Sequence, residues 1–153
     1  MALPTTIELQ IVTPDKLVLK ENVDEVEIPG SQGYFGVLPG HTPLLAGLAV
    51  GELWYRKGQE KTYVSIAFGF AEVLPDRVTV LARLAERADD IDIERAEAAR
   101  ARAEKRLSDA QQSAVDYERA RTALLKSLAR LNVSSRIGVG PRTGGMKRLR
   151  NQS

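Results

Sequence analysis

The chain contains no cysteine and one histidine, His41. Disulfides and thiolate metal sites are therefore excluded, and a lone histidine does not make a metal centre. Aromatic residues supply only 5% of the sequence, against a hydrophobic fraction of 43%. A core must therefore be aliphatic, and rings are too few for a platform on which nucleic-acid bases could stack. No apolar run approaches the ~20 residues that a membrane-spanning helix needs. The opening Met1–Thr6 has neither a basic n-region nor an apolar h-region, so the expectation is a soluble, cytosolic protein. The nucleophile motif Gly-x-Ser-x-Gly is missing, and so is the phosphate loop Gly-x-x-x-x-Gly-Lys-Ser/Thr. No residue is assigned a catalytic or metal-binding role. The expected class is an interaction protein, a monomer when isolated.

Charge is present but unevenly placed. Residues 1–85 carry 7 basic and 10 acidic side chains, residues 86–132 carry 10 of each, and residues 133–153 carry 5 basic and none acidic. The net charge of +2 is thus a property of the C-terminal stretch and does not describe a basic domain face.

The densest turn signal lies between Gly30 and Leu45, with four glycines and two prolines in sixteen positions. Glycine reaches positive φ freely and proline fixes φ near −65°, so tight turns are expected. Tyr34, Phe35, Val37 and Leu38 suit a half-buried pleated surface. The segment reads as strand, turn, short strand, and then a shaped loop over Pro39–Pro43. A Gly-rich loop can cradle phosphate, but no helix signal follows this one, and Pro43 lacks the N–H that a phosphate nest would use.

From Thr6 to Arg83 every periodic signal is β. Ile7, Leu9 and Ile11 alternate with polar neighbours, and Val26 and Ile28 alternate with Glu25 and Glu27. Further strand patterns cover Leu53–Tyr55, Thr62–Ile66, Phe70–Leu74 and Val78–Leu84. Turn residues punctuate them at Pro14-Asp15, Pro29-Gly30, Lys57-Gly58-Gln59 and Pro75-Asp76. Gly69 interrupts an apolar run, which predicts a bulge or a close backbone approach.

At Glu86 the period changes. Asp92 is the expected N-cap of a helix whose apolar face is Ala96, Ala99, Ala103, Leu107, Ala110 and Ala114. Asp116 is the expected cap of a second helix, with the stripe Tyr117, Ala120, Leu124, Leu128 and Leu131. The predicted fold class is an N-terminal antiparallel β-sandwich over 1–85, then an antiparallel two-helix hairpin over 86–132. A disordered basic tail over 133–153 completes it.

Three blocks carry a family resemblance. Val26–Leu45 (Val-Glu-Ile-Pro-Gly, Phe-Gly-Val-Leu-Pro-Gly-His-Thr-Pro-Leu-Leu), Gly69–Val73 with Val78–Ala82, and Ile91-Asp92-Ile93-Glu94-Arg95-Ala96 occur in that order. Over roughly residues 5–132 the chain resembles the epsilon subunit of F-type ATP synthases. The resemblance implies a non-catalytic subunit of the central stalk, bound to the gamma subunit and resting on the c ring. Alpha and beta subunits become partners when the hairpin extends. The implied role is to couple proton translocation to ATP synthesis and to restrain ATP hydrolysis. The implied location is the cytoplasmic side of a bacterial cell membrane, peripheral through the complex.

The resemblance also implies partner contacts for the loop Pro39, Gly40, His41, Thr42 and Pro43 with Tyr34 and Phe35. It implies further contacts for the cations Arg119, Arg121, Lys126 and Arg130 of the second helix, which otherwise read as a solvated face. The Ile91–Ala96 block matches a motif that binds regulatory ATP in some bacterial members. The candidate nucleotide residues are Glu86, Ile91, Asp92, Arg95, Ala96 and Arg102, with no cofactor required. Arg95 could grip phosphate at a helix start that favours anions, although Asp92 and Glu94 are themselves anions there. The residues alone also describe a capped helix.

Two rivals from other classes are a small β-barrel nucleic-acid-binding protein and a free ATP-sensing module. The basic tail would give the first only salt-sensitive, sequence-independent affinity, so no nucleic-acid partner is expected.

Overall fold

The computed structural model describes residues 2–109 and 111–136. Seven strands are followed by two helices: β1 Ile7–Val12, β2 Leu17–Val23, β3 Glu25–Gly30, β4 Gly33–Val37, β5 Leu44–Lys57, β6 Glu60–Leu74, β7 Arg77–Arg87, α1 Ile93–Leu107 and α2 Ala114–Ser135. A short 3₁₀ turn, Ala88–Asp90, joins the two parts.

The strands form one hydrogen-bonded sheet in the order β2-β1-β7-β6-β5-β3-β4. It folds over on itself, because β2 at one edge touches β5 four strands away. One aliphatic core results, drawn from all seven strands and centred on Ile7, Leu9, Ile11, Ile28, Leu53 and Ile66, none of them accessible to solvent. This is the sandwich predicted from the alternation of Ile7, Leu9 and Ile11, whose burial pattern repeats with period two.

One pairing departs from the antiparallel expectation: β1 lies parallel to β7. The cause is the run from β2 to β3. Only Asp24 separates these strands, and the chain leaves β1's side for β5's side without a hairpin turn. That straight crossing reverses the direction sense of every later strand relative to β1.

The segments Thr62–Ile66 and Phe70–Leu74 join into a single strand of 15 residues. Buried positions change parity midway, from Val64 and Ile66 to Ala71 and Val73. The same change occurs in β5, from Leu48 to Gly51 and Leu53, and in β7, from Val80 and Ala82 to Ala85. At this level Phe68 has φ 60° and Gly69 has φ 123°. A Cβ on Gly69 would run into the carbonyl oxygen of Leu81. The close backbone approach predicted for Gly69 is therefore present, at the line where three strands shift phase together.

Asp92 caps α1 as predicted, its Oδ1 accepting from the Arg95 N–H at 3.0 Å. Ala96 and Ala103 are buried and Ala99 and Leu107 are half-buried; Ala110 lies outside the described residues. The cap of α2 is Ser113 and not Asp116. The Ser113 hydroxyl accepts from the Asp116 N–H at 3.1 Å, while Asp116 takes the third helical position and accepts from that hydroxyl at 2.8 Å. The acid at the third position thus binds the cap's hydroxyl and not its backbone N–H, which distinguishes the arrangement from a capping box.

The buried face of α2 also departs from the predicted stripe. Ala120, Ser127, Ala129, Val133 and Ser134 are buried, Leu124 and Leu131 are half-buried, and Leu128 and Tyr117 are exposed. Two surfaces are served at once, because α2 touches both α1 and the β5–β6 surface. Ser127 tolerates burial because its hydroxyl donates to the Ala123 carbonyl at 2.8 Å. The helix also continues to Ser135 with Val133 fully buried, so the first residues assigned to the tail are helical. The remainder of that predicted tail, from 137 onward, lies outside the described residues.

Candidate functional site

The loop after β4 is built from backbone constraints. Gly40 has φ 84° and donates its N–H to the Pro75 carbonyl at 2.7 Å, tying the loop to the turn before β7. The His41 N–H donates to Leu38, and its Nδ1 lies 2.6 Å from the Thr42 carbonyl. A carbonyl only accepts, so the ring donates from Nδ1. Around this knot Leu38, Leu44 and Leu45 are exposed, Leu45 by 71%. Thr42 and Pro43 are also exposed, and Pro39 is half-buried. The result is an apolar end of the sandwich whose exposed loop is tied down by backbone hydrogen bonds.

Tyr34 and Phe35 are less free than that loop. The Glu52 N–H donates to the Tyr34 hydroxyl at 3.1 Å. The β3–β5 ladder is interrupted between Glu27 and Gly30, and the Tyr34 hydroxyl provides the acceptor for Glu52 there. Phe35 is half-buried and packs against the core beside Gly30.

The candidate nucleotide residues divide. Asp92 caps α1, Ile91 and Ala96 are buried, and Arg95 and Arg102 are exposed. Seven residues apart, these arginines lie two turns apart on one face of α1. Glu86 faces elsewhere: its Oε1 lies 2.8 Å from Arg130 Nε, and its Oε2 accepts from Arg130 Nη2 at 3.2 Å. The structure therefore joins Glu86 to α2.

The predicted partner cations also divide. Arg119 and Arg121 are exposed and, among the described residues, reach only Asp116 and Glu118 of their own helix, at 4.0 and 3.9 Å. Lys126 and Arg130, read from sequence as part of a solvated face, turn toward the sandwich. Lys126 Nζ lies 5.6 Å from the centre of the Phe68 ring. Arg136 joins them, 3.6 Å from Glu52 and 4.7 Å from the centre of the Tyr63 ring. The sequence assigns no site role to Glu52, Tyr63, Phe68 or Arg136; Tyr63 reads only as part of the strand Thr62–Ile66 and Arg136 only as part of the basic tail. The continuation of the Lys126–Arg130 spacing through Val133 to Arg136 was the signal available. Among the described residues no group of three or more His, Cys, Asp or Glu is placed to hold a metal ion, and no helix is long and apolar enough to cross a membrane.

Comparison with known proteins places these features in a family. Residues 6–88 match the family described as "ATP synthase, Delta/Epsilon chain, beta-sandwich domain", and residues 89–135 match "ATP synthase, Delta/Epsilon chain, long alpha-helix domain". The ATP synthase epsilon chain of Nitratidesulfovibrio vulgaris (strain DP4) is 52% identical over 128 residues, covering 84% of this chain and 95% of that one. The epsilon chain of Syntrophobacter fumaroxidans is 53% identical over 130 residues, covering 85% and 96%. A chain of the Euglena gracilis mitochondrial ATP synthase, from a structure of OSCP, F1 and the c-ring, superposes with a TM-score of 0.75 at 25% identity, covering 88% of this chain and 84% of that chain. The two matched segments adjoin, with the sheet in the first and both helices in the second, and the chain belongs to the ATP synthase delta/epsilon chain family.

Proposed function

We propose that the chain acts as the epsilon subunit of an ATP synthase central stalk, a non-catalytic part linking the gamma subunit to the c ring. The observation that carries this reading is the rigid apolar loop end around His41, set on a sandwich that needs no help from the hairpin to bury its core. A coupling element must transmit torque, so it needs a stiff body with an exposed, shaped contact. The Pro39–Pro43 loop with Leu38, Leu44 and Leu45 has that form and would face the ring. The hairpin would restrain ATP hydrolysis, through Arg119 and Arg121 on the acidic alpha and beta subunits. The site of action would be the cytoplasmic face of a bacterial membrane, reached through the complex.

Regulatory ATP would bind at the start of α1. Arg95 and Arg102 would meet its phosphates, Asp92 its polar groups, and Ile91 and Ala96 would form the wall. Glu86 would join this site only after releasing Arg130. ATP titration of the isolated chain and of Arg95→Ala tests this directly; equal heats from both would exclude the site.

The main test uses the assembled enzyme. A chain ending at Arg87 should leave assembly intact and raise ATP hydrolysis severalfold, while His41→Ala should weaken proton pumping per ATP hydrolysed. Unchanged hydrolysis and unchanged pumping would overturn the reading.

A further inference from the structure

The outer face of the sandwich carries a row that the loop end does not use. Glu52 of β5 pairs in register with Ser65 of β6, and Ser65 with Glu86 of β7. Strand alternation points all three away from the core, since Leu53, Val64, Ile66 and Ala85 face inward. Two carboxylates therefore stand two strands apart, about 9–10 Å, with a small hydroxyl between them. Ser65 is buried although it lies on the outer side, because α2 covers β5 and β6.

α2 matches this row. Arg130 and Arg136 are six residues apart, about 9 Å along a helix axis. They are also about 120° apart around it, so they flank the helix on opposite sides of Val133. Val133, midway between them, is fully buried. Arg130 takes Glu86 at 2.8 Å and Arg136 takes Glu52 at 3.6 Å. Lys126 shares Val133's direction two turns earlier, over Phe68.

Resting on the epsilon-like reading given above, we propose that this row is an electrostatic clasp that sets the resting position of the hairpin. The apolar alternative is weak. Around Val133, the buried groups are small: Ala129 and Val133 on α2 and Ser65 and Ala67 on the sheet, while the larger rings Phe68 and Tyr63 meet the cations Lys126 and Arg136. Small groups bury little area, and the stabilisation scales with area. The Glu86–Arg130 pair is different, with side chains only 30% and 20% exposed. A partly buried pair is screened less than a surface pair, and removing one partner strands the other charge. Two consequences follow. The docked hairpin is sensitive to salt, whereas the sandwich core is not. Docking here and docking Arg130 or Arg136 on an acidic partner exclude each other, because one set of guanidinium groups serves both.

The test is amide hydrogen exchange of the intact, isolated chain, which makes it independent of any assembly role. Combined Glu52→Gln and Glu86→Gln should speed exchange of the α2 amides Leu124–Ser134 about tenfold, as expected for stranding charges that were paired. Amides of β1 should keep their protection. Raising salt from low ionic strength to ~0.5 M should speed the same α2 amides in the native chain and leave the Gln variant unchanged. The charge swap Glu86→Arg with Arg130→Glu should return exchange toward the native rate. Native-rate exchange in the double-Gln chain would overturn the clasp. So would a charge swap as loose as Glu86→Arg or Arg130→Glu alone, together with a full loss from Val133→Ala, since apolar contact would then hold the helix. Failure here leaves the stalk reading intact, and failure of coupling in the assembled enzyme leaves the clasp intact.

Discussion

The sandwich and the hairpin meet the same requirement, burial of an amphipathic face, with different materials. The sandwich closes an aliphatic core in which Ile7, Leu9, Ile11, Ile28, Leu53 and Ile66 are all sealed from water. The hairpin seals mostly small residues, Ala96, Ala103, Ala120, Ser127, Ala129 and Ser134, with Val133 the one branched aliphatic among them. Small residues let helices approach closely, but each removes little area from water. What the hairpin lacks in area it replaces with caps and ion pairs, which salt and competing charges can reach. The comparison teaches where motion belongs. In the proposed role, the sandwich that would transmit force is built from interdigitated branched side chains, and the hairpin that would move is the part with the fewest of them.

The sharpest way to break this comparison is Gly69→Ala. Its φ of 123° disfavours any side chain, and the new Cβ would run into the Leu81 carbonyl on β7. Backbone cannot yield as a flexible side chain does. The expected loss is about 4 kcal/mol or more, at the exceptional end of single substitutions, measured by denaturant unfolding with β1 and α2 reported separately. The whole sandwich should melt at lower denaturant, and a loss confined to the hairpin would contradict the central place given to this phase-shift line.

Gly69 also shows how much was readable beforehand. A glycine inside an apolar run signals close backbone approach, and that inference survives in detail. The strands around it survive less well. Leu44–Val50 was not recognised as strand because Ala46, Gly47 and Ala49 carry no alternation, and the parity change in β6 made one strand look like two. The α2 stripe failed at Leu128 for a related reason. A helix packed on two surfaces buries a broad sector, so small residues such as Ser127 and Ala129 are covered while a leucine outside that sector is not. At the candidate site, the loop glycines and the α1 cap were legible because their signals are local. The pairing of Glu86 with Arg130 joins residues 44 positions apart, and the periodicity of a single element does not contain it.

A second, smaller test compares two leucines of equal size. Leu53→Ala empties a fully buried position and should cost about 2–5 kcal/mol of global stability. Leu128→Ala, a partly covered position on α2, should cost clearly less, about 1 kcal/mol. Thermal unfolding of both variants measures the difference. Comparable losses would mean that Leu128 is covered in solution and that the hairpin has a larger apolar seat than the one described.

The smallest expected effect sharpens the comparison from the alkaline side. Burial raises the pKa of Tyr55 above 10.0, the negative charge of Glu21 adds to this, and a hydrogen bond with the Thr62 side chain works the other way. A tyrosine with a raised folded pKa holds its proton longer in the native state than in the unfolded chain. Its contribution is therefore complete below about pH 10 and is lost as pH rises through the folded value. Lys57 shifts upward too, through its hydrogen bond and attraction to Glu21. That pair is exposed, so only Tyr55 should leave a measurable alkaline limb. Tyr55→Phe removes the titrating hydroxyl. At neutral pH it should cost about 0.5–1 kcal/mol. Above pH 10 the variant's stability should fall less steeply than that of the native chain, so the two curves converge. Tyr55 lies in β5, opposite Thr62 of β6, so the convergence should appear in sandwich probes. Convergence confined to α2 amides, with β5 and β6 unaffected, would show that alkaline loosening begins in the hairpin and that the sandwich is not where Tyr55 is felt.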